Sequence, residues 1–598
     1  MSTIVNDFNF TVATVNGSGS QSSNSVLMRA IFNMGVPVSG KNLFPSNIAG
    51  LPTWFTVRAN EKGYVARRVD DDLRVLMNAA TVDEDLAKLK PGAFVILNDA
   101  ISPSVERDDL TIYRVPFTKL VGEVVKEMKL RKLVVNMIYV GVLGELLGLE
   151  EGTIRQALET QFKGKAKAVE LNHQAVQIGR DHVKENPLPE FPFRIERRTL
   201  TDGKIIIDGN AAGGLGAVFG GLTVLAWYPI TPSSSICESA IGYLKRFRHD
   251  ADGKARYAVV QAEDELASIG MVVGAGWAGA RAMTSTSGPG ISLMSEFAGL
   301  SYYAEVPAVI WDIQRVGPST GLPTRTAQGD VSMVANLSHG DTEHIVLLPA
   351  TVEECFRCGQ EAFDLAEEFQ TLVFVLSDLD LGMNQWMSDP FEFAEPPYRR
   401  GKVLDAEALE KVGKFERYRD VDGDGVPYRT LPGNPHPQAA YFCRGSGHDE
   451  AAAYSESAEV YQRNLDRLTR KLDTARERVP APVLDAMDGA TIGIVAFGTS
   501  DAPMREARDM LSAAGIATDY LRLRALPLND AVTEFIDAHE HVFVVEQNRD
   551  AQMAGLIKLH CGDVAHKLTS LLHYDGLPIH ARFIADGVTA KVGQKVEV

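Results

Sequence analysis

Between Thr199 and Asp378 the chain repeats one pattern, a short and nearly continuous apolar run followed by a helix-like stretch. The runs read TVLAWYP, YAVVQAE, ARAMTSTS, AVIWDIQR, HIVLLPA and TLVFVLSD. A strand that is apolar on both faces must be covered on both, and intervening helices supply that cover. The pattern therefore predicts an α/β fold with a parallel sheet between helix layers. In such a sheet the C-terminal strand ends share one edge, which is where open α/β sheets hold ligands.

At 598 residues the chain is too long for one core, so several domains are expected. Residues 1–186 open with strand-like FNFTVATV, a turn NGSGSQSSN and helix-like SVLMRAIFNMG, the start of a βαβ unit. Gly17 and Gly19 give half of a dinucleotide fingerprint; the third glycine and the ribose-binding acid are absent, which favours a tight turn. Further strands are expected at TWFTVRAN, AFVILND and TIYRVPF, and helices at VDEDLAKL and LVVNMIYVGVLGELLG. Residues 187–198, within KENPLPEFPFRIERR, read as a linker. After 199–378 comes an irregular region, 379–482, ending in the helical run AAAYSESAEVYQRNLDRLTRKLDTARERV. Residues 483–598 read as a second, smaller α/β unit.

A net charge of −18 without a dominant basic patch argues against nucleic-acid binding. No apolar run reaches the ~18 to 20 residues of a membrane span, and the N-terminus has no signal-like core, so a cytoplasmic protein without membrane contact is expected. Of five cysteines, Cys355 and Cys358 form a CxxC. They sit in TVEECFRCGQEAFDLAEEF, where apolar spacing predicts an ordinary helix, with no iron–sulfur cluster in this chain. Asp420, Asp422, Asp424 and Gly425 imitate a calcium loop, but its twelfth position is Leu431, so no metal is expected there.

Four strand exits carry polar groups. YPITPSS (Tyr228–Ser234) has two prolines and a run of hydroxyls, which suits helix capping or a rigid ligand loop. QAEDELASIG brings Glu263, Asp264 and Glu265 to a helix start, followed by residues (Ala267, Gly270, Gly274, Gly276) so small that something must pack closely against them. TSTSGPGISLMSEFAGL is rich in hydroxyls and glycine. QRVGPSTGLPTRTAQGD places Arg315 at the end of a strand that reads as otherwise apolar, well placed to bind a carboxylate or phosphate.

In order and spacing these four motifs resemble the α subunit of a 2-oxoacid:ferredoxin oxidoreductase with the γ domain fused at its N-terminus, and the likeness spans the whole chain. One departure is NGSGSQSSN, which is poorer in glycine than the family's loop. The resemblance implies a Rossmann-like γ domain over 1–186, a thiamin-pyrimidine-binding domain over 199–378 and a transketolase C-terminal-like domain over 483–598. It implies CoA-dependent oxidative decarboxylation of a 2-oxoacid, with thiamin diphosphate shared with a β subunit. That β subunit would hold Mg²⁺ and a [4Fe-4S] cluster, assemble as an αβ dimer of dimers and pass electrons to ferredoxin.

By the same resemblance Glu265 is the catalytic carboxylate that meets N1′ of the cofactor, framed by Pro229 and Ile230. Thr231 and Arg315 bind the 1-carboxylate, and Thr324 lies near the rest of the substrate. Tyr228 and Pro229 are expected to pack rather than react. GLPTWFTVR and GVPYRTLPG look most like members acting on 2-oxoglutarate, ahead of pyruvate or branched-chain 2-oxoacids. The distal carboxylate would need Arg325, Arg429 or a β-subunit cation. The rivals are a non-catalytic structural subunit and a stand-alone transketolase-type enzyme, which would need its own diphosphate–Mg²⁺ motif.

Overall fold

The computed structural model describes residues 3–45, 50–188, 190–393 and 397–593. The chain divides into two compact units, Met1–Ile207 with Asn384–Pro390, and Asp208–Met383 with Phe391–Val598.

The first unit is built on a six-stranded sheet in the order Val38–Leu43, Pro52–Asn60, Asp7–Val15, Leu73–Leu76, Phe94–Asn98 and Thr111–Val115. The expected strand–helix–strand start is present, but Pro52–Asn60 lies between its two strands and antiparallel to both. The stretch joining Val38–Leu43 to Pro52–Asn60 is too short for a crossover helix, so an antiparallel return is the available connection. The helix Ser20–Asn33 begins earlier than expected: Gly19 takes φ 83° at its N-cap, and Ser20, Ser23 and Asn24 are buried in its first turns. Helices Met128–Leu146 and Ala166–Glu185 touch backbone to backbone, since a Cβ at Gly141 would lie 1.9 Å from the Val176 carbonyl oxygen.

Residues 187–198, read as a linker, are in part strand. Phe193–Arg194 pairs in parallel with Ile4–Val5, and the Phe193 ring packs tilted against Phe8 and edge-on to Phe94. The apolar FPF triplet is core, and only its neighbourhood has linker composition; Pro189 lies outside the described residues. Ile205–Ile207 then pairs with Trp386–Ser388, which brings the latter segment into this unit.

The second unit holds the seven-stranded sheet. Its strands are β1 (Val224–Trp227), β2 (Ala258–Gln261), β3 (Ala282–Thr286), β4 (Ala308–Gln314), β5 (Ile345–Leu347), β6 (Leu372–Asp378) and β7 (Ala525–Leu526). They run in the order β2-β1-β3-β4-β6-β5-β7. All pairs are parallel except β5 with β7. The helices that position the site are α1 (Ser234–Phe247), α2 (Glu265–Trp277) and α3 (Gly288–Ala304). The helix α4 (Val352–Phe369) carries Cys355 and Cys358, both buried, with burial pushing both thiols upward.

Residues 483–598 form a five-stranded sheet of their own. One face of that sheet does not close on itself: Val495, Leu521 and Val544 share one apolar cluster with Ile310 and Phe374 of the seven-stranded sheet. Between the sheets the described chain is largely irregular, and its long helix α5 (Ala458–Arg476) starts later than the helical run because Ser457 caps it through Val460 N–H. The aspartates of the calcium-like loop bind cations of this chain: Asp422 and Asp424 pair with Lys402 at 2.7 Å, and Asp420 with Arg470 at 3.1 Å.

Candidate active site

The chain order reverses around β1. The connection through α1 leads to β2 on one side, and α2 carries the chain back past β1 to β3 on the other. The crevice outside β1 and β3 is therefore the topological switch point, where ligands of open α/β sheets bind. YPITPSS leaves β1 at this crevice, and the loop into α3 leaves β3.

Most hydroxyls of YPITPSS tie the loop to itself. Ile230 N–H donates to Ser234 Oγ at 2.9 Å, while Ser233 and Ser234 Oγ donate to the Ile230 carbonyl at 3.3 and 3.2 Å. Asn210 Nδ2 donates to the Pro232 carbonyl at 3.0 Å and to Ser235 Oγ at 2.7 Å. Ser285 Oγ, from β3, donates to the Ser233 carbonyl at 3.3 Å. The loop is thus rigid by hydrogen bonding as well as by proline. Tyr228, 37% exposed, and Pro229 are only partly covered by the described residues of this chain. They stand where the chain leaves β1.

Arg315, at the end of β4, donates from Nη1 to the carbonyl oxygen of Thr231 at 2.7 Å. The two residues expected to act together are thus adjacent, joined through the threonine backbone. Arg315 is buried, and its Nε has no partner among the described residues. Burial lowers its pKa and Asp330 opposes that effect.

Glu265 opens α2. Asp264 caps the helix by accepting from Ala267 N–H at 2.7 Å, which leaves Glu265 uncommitted to capping. Glu265 is 7% exposed and packs where α3 begins: a Cβ at Gly290 would lie 2.8 Å from its Cγ and 1.9 Å from Thr286 Oγ1. The glycine of TSTSGPG is therefore needed for the carboxylate to sit there. Thr324 is buried, and its carbonyl and Oγ1 both accept from Arg325 Nη1, at 2.9 and 3.2 Å. Arg429 is buried beside Glu367 at 3.5 Å, held in an ion cluster on α4. That commits it to structure and removes it as a candidate for the distal carboxylate.

A cavity of about 560 Å³ lies over Arg315, lined also by Pro289, Asp330, Asn548, Arg549 and Tyr574. Glu265, Thr231 and Thr324 do not line it. Gln547 to Asp550 and Gln552, with Tyr574 and Gly576, form one wall, a contribution the sequence reading did not foresee. It is fixed by Gln328, whose N–H donates to the Gln547 carbonyl at 2.8 Å and whose Nε2 donates to the Phe497 carbonyl at 2.9 Å. Asp378 accepts from Thr326 at 3.2 Å and Thr499 at 2.5 Å in the same seam.

The outer face of α2 is apolar and open. Leu266, Met271 and Trp277 are 40, 43 and 37% exposed, and a Cβ at Gly274 would meet nothing. The small residues of α2 thus divide: Gly276 abuts the Pro307 carbonyl and Gly270 the Phe297 ring, while Gly274 has no cover from the described residues.

Residues 215–410 match the family described as pyruvate flavodoxin/ferredoxin oxidoreductase, thiamine diP-binding, and residues 9–182 match pyruvate ferredoxin/flavodoxin oxidoreductase. The chain is 30% identical to the 2-oxoacid:ferredoxin oxidoreductase 2 subunit alpha of Aeropyrum pernix, over 97% of each protein. It belongs to the 2-oxoacid:ferredoxin oxidoreductase α subunits. As such it is part of a thiamin diphosphate-dependent oxidoreductase and one subunit of a larger enzyme. The α subunit is also 33% identical to the 2-oxoglutarate synthase subunit KorA of Methanothermobacter marburgensis, over 57% of this chain and 87% of that one. Among solved structures it matches the 2-oxoglutarate:ferredoxin oxidoreductase of Magnetococcus marinus, described with 2-oxoglutarate, coenzyme A and succinyl-CoA bound. The TM-score is 0.88, the identity 27%, and the match covers 98% of this α subunit and all of that chain. No described helix is long and apolar enough to cross a membrane.

Proposed function

We propose that this chain is the α subunit of a 2-oxoglutarate:ferredoxin oxidoreductase, converting 2-oxoglutarate, CoA and oxidised ferredoxin to succinyl-CoA, carbon dioxide and reduced ferredoxin. The observation that carries the reading is the Arg315–Thr231 hydrogen bond, which sets a buried arginine against the rigid loop of the switch point. The near full-length match to the Magnetococcus marinus enzyme supports 2-oxoglutarate as the substrate and CoA as the acceptor. Residues 1–186, 199–378 and 483–598 are taken as the γ, thiamin-pyrimidine and transketolase C-terminal-like domains.

The residues present fit the pyrimidine half of thiamin diphosphate. Glu265 is a buried carboxylate without a hydrogen-bond partner among the described residues, next to a glycine that keeps the space open. Bound thiamin diphosphate supplies the electron sink for loss of the 1-carboxylate as carbon dioxide. Glu265 would hold the proton shared with N1′ and so favour the imino form of the ring, with Pro229 and Ile230 framing it. Arg315 binds and orients the 1-carboxylate, with Thr231 as a neutral donor. Thr324 faces the variable end, and Arg325, which it orients, is the candidate for the distal carboxylate. The diphosphate, Mg²⁺ and a [4Fe-4S] cluster belong to a β subunit seated on the open face of α2, in an αβ dimer of dimers. The same residues would serve the reverse, reductive reaction.

Viologen reduction by the αβ enzyme with 2-oxoglutarate, pyruvate and 2-oxoisovalerate tests the substrate. The highest kcat/KM is expected for 2-oxoglutarate, and a lead by pyruvate contradicts the assignment.

A further inference from the structure

Asp312 lies in the middle of β4, fully buried, and neither of its carboxylate oxygens has a partner among the basic or neutral donors described. The group it faces is another acid, Asp330, at the far end of the loop that begins with Arg315. Asp330 is held in place: its N–H donates to Gln314 Oε1 at 3.1 Å, and its carboxylate lies over the first turn of α3, where a Cβ at Gly288 would fall 2.9 Å from both oxygens. Asp330 lines the cavity together with Arg315. Two buried carboxylates can face each other without other donors only if one of them carries a proton and donates it to the other.

We propose that Asp312 and Asp330 share one proton and act as a positioning pair for Arg315, its single negative charge moderating the arginine until the substrate carboxylate arrives, whereupon the pair takes up a second proton. This inference rests on the reading that Arg315 binds the 1-carboxylate.

The charged groups facing Asp330 are Asp312 of β4 and Arg315 just beyond its end; Gly288 and Pro289 of α3 bring none, and Arg549 and Asp550 across the cavity pair with each other at 2.7 Å. Burial raises Asp330 to about 6, although Arg315 pulls it down, and burial with repulsion from Asp330 pushes Asp312 well above the ordinary range. A substrate anion at Arg315 adds a second negative charge beside Asp330 and must raise it further. The bound state therefore holds more protons than the free state, so affinity rises as pH falls through this range.

The test is calorimetry on the αβ enzyme, using oxamate as a non-reacting mimic of the 2-oxoacid head, in buffers of different ionisation heat. At about pH 6.5 wild type should take up ~0.5 proton per oxamate bound. Asp312→Asn supplies a permanent donor to Asp330 and keeps it ionised, so uptake should vanish and binding weaken ~5-fold at about pH 6. Asp330→Asn should also abolish uptake, but bind oxamate ~5-fold more tightly because Arg315 is no longer moderated. A merely structural role would weaken binding in both variants and leave the proton count intact. No uptake in wild type, with oxamate binding lost in Arg315→Ala, overturns the acid pair and spares the carboxylate reading. Unchanged oxamate affinity in Arg315→Ala overturns both.

Discussion

Arg315 is aimed by Thr231: its Nη1 donates to the threonine carbonyl oxygen at 2.7 Å, across the ends of β4 and β1. The contact is to backbone, so the threonine side chain is not what holds the arginine. Thr231→Ala should therefore leave Arg315 in place and cost only one neutral hydrogen bond to substrate, about 0.5 to 1.5 kcal/mol. The expected loss in kcat/KM is ~3- to 10-fold. Steady-state kinetics with saturating CoA checks it.

Glu265→Gln in the αβ enzyme should lower kcat by ~100-fold or more, the scale of a lost acid–base contribution. The substitution keeps the side chain's volume beside Gly290, so thiamin diphosphate content should stay near that of wild type. Hydrogen–deuterium exchange at thiamin C2 should slow in parallel. Unchanged exchange would return Glu265 to a packing role at the start of α2.

The chain alone should be inactive, because the face of α2 that carries Leu266, Met271 and Trp277 is open. An exposed apolar patch beside a candidate site marks an interaction surface. Met271→Glu should abolish co-purification of the β subunit while the thermal midpoint of the isolated chain stays unchanged. Retained co-purification would put the partner elsewhere.

Glu305 governs stability rather than catalysis. It is fully buried, accepting from Arg467 at 2.7 Å and Lys471 at 2.9 Å, which together tie α5 to the end of α3. Burial alone would raise its pKa, but Arg467 and Lys471 outweigh burial and bring it from 4.5 to about 2. A depressed folded-state pKa contributes stability that is complete above 4.5 and lost as pH falls from there toward 2. Glu305→Gln should cost about 3 to 5 kcal/mol at neutral pH by stranding buried cations. It should also flatten the acid limb of a denaturant-melt profile between those pH values.

Periodicity alone recovered the six parallel strands from Val224 to Asp378. Continuous apolar runs are a strong signal when both faces are buried. The short strands were illegible for the opposite reason: Leu73–Leu76 and Phe193–Arg194 bury few residues and owe their pairing to distant partners. Asp312 was visible in AVIWDIQ, where one acid interrupts a buried strand, and reading that strand as apolar missed it. Gln328 lies far along the chain from Gln547 and Asn548, and their meeting depends on how the two sheets share one core. No local pattern announces that. The same holds for the open face of α2, since only the structure tells which of its small residues are covered by this chain.

The most direct measurement is kcat/KM of Arg315→Ala and Arg315→Lys for 2-oxoglutarate, pyruvate and 2-oxoisovalerate in the αβ enzyme. Loss of a buried, charge-assisted contact costs about 2 to 5 kcal/mol, roughly 30- to several-thousand-fold. The account predicts that Arg315→Ala weakens all three substrates by similar factors, because each carries the same 1-carboxylate, and that lysine restores little of the loss. A penalty on 2-oxoglutarate alone, with pyruvate spared, would contradict it by placing the distal carboxylate at Arg315.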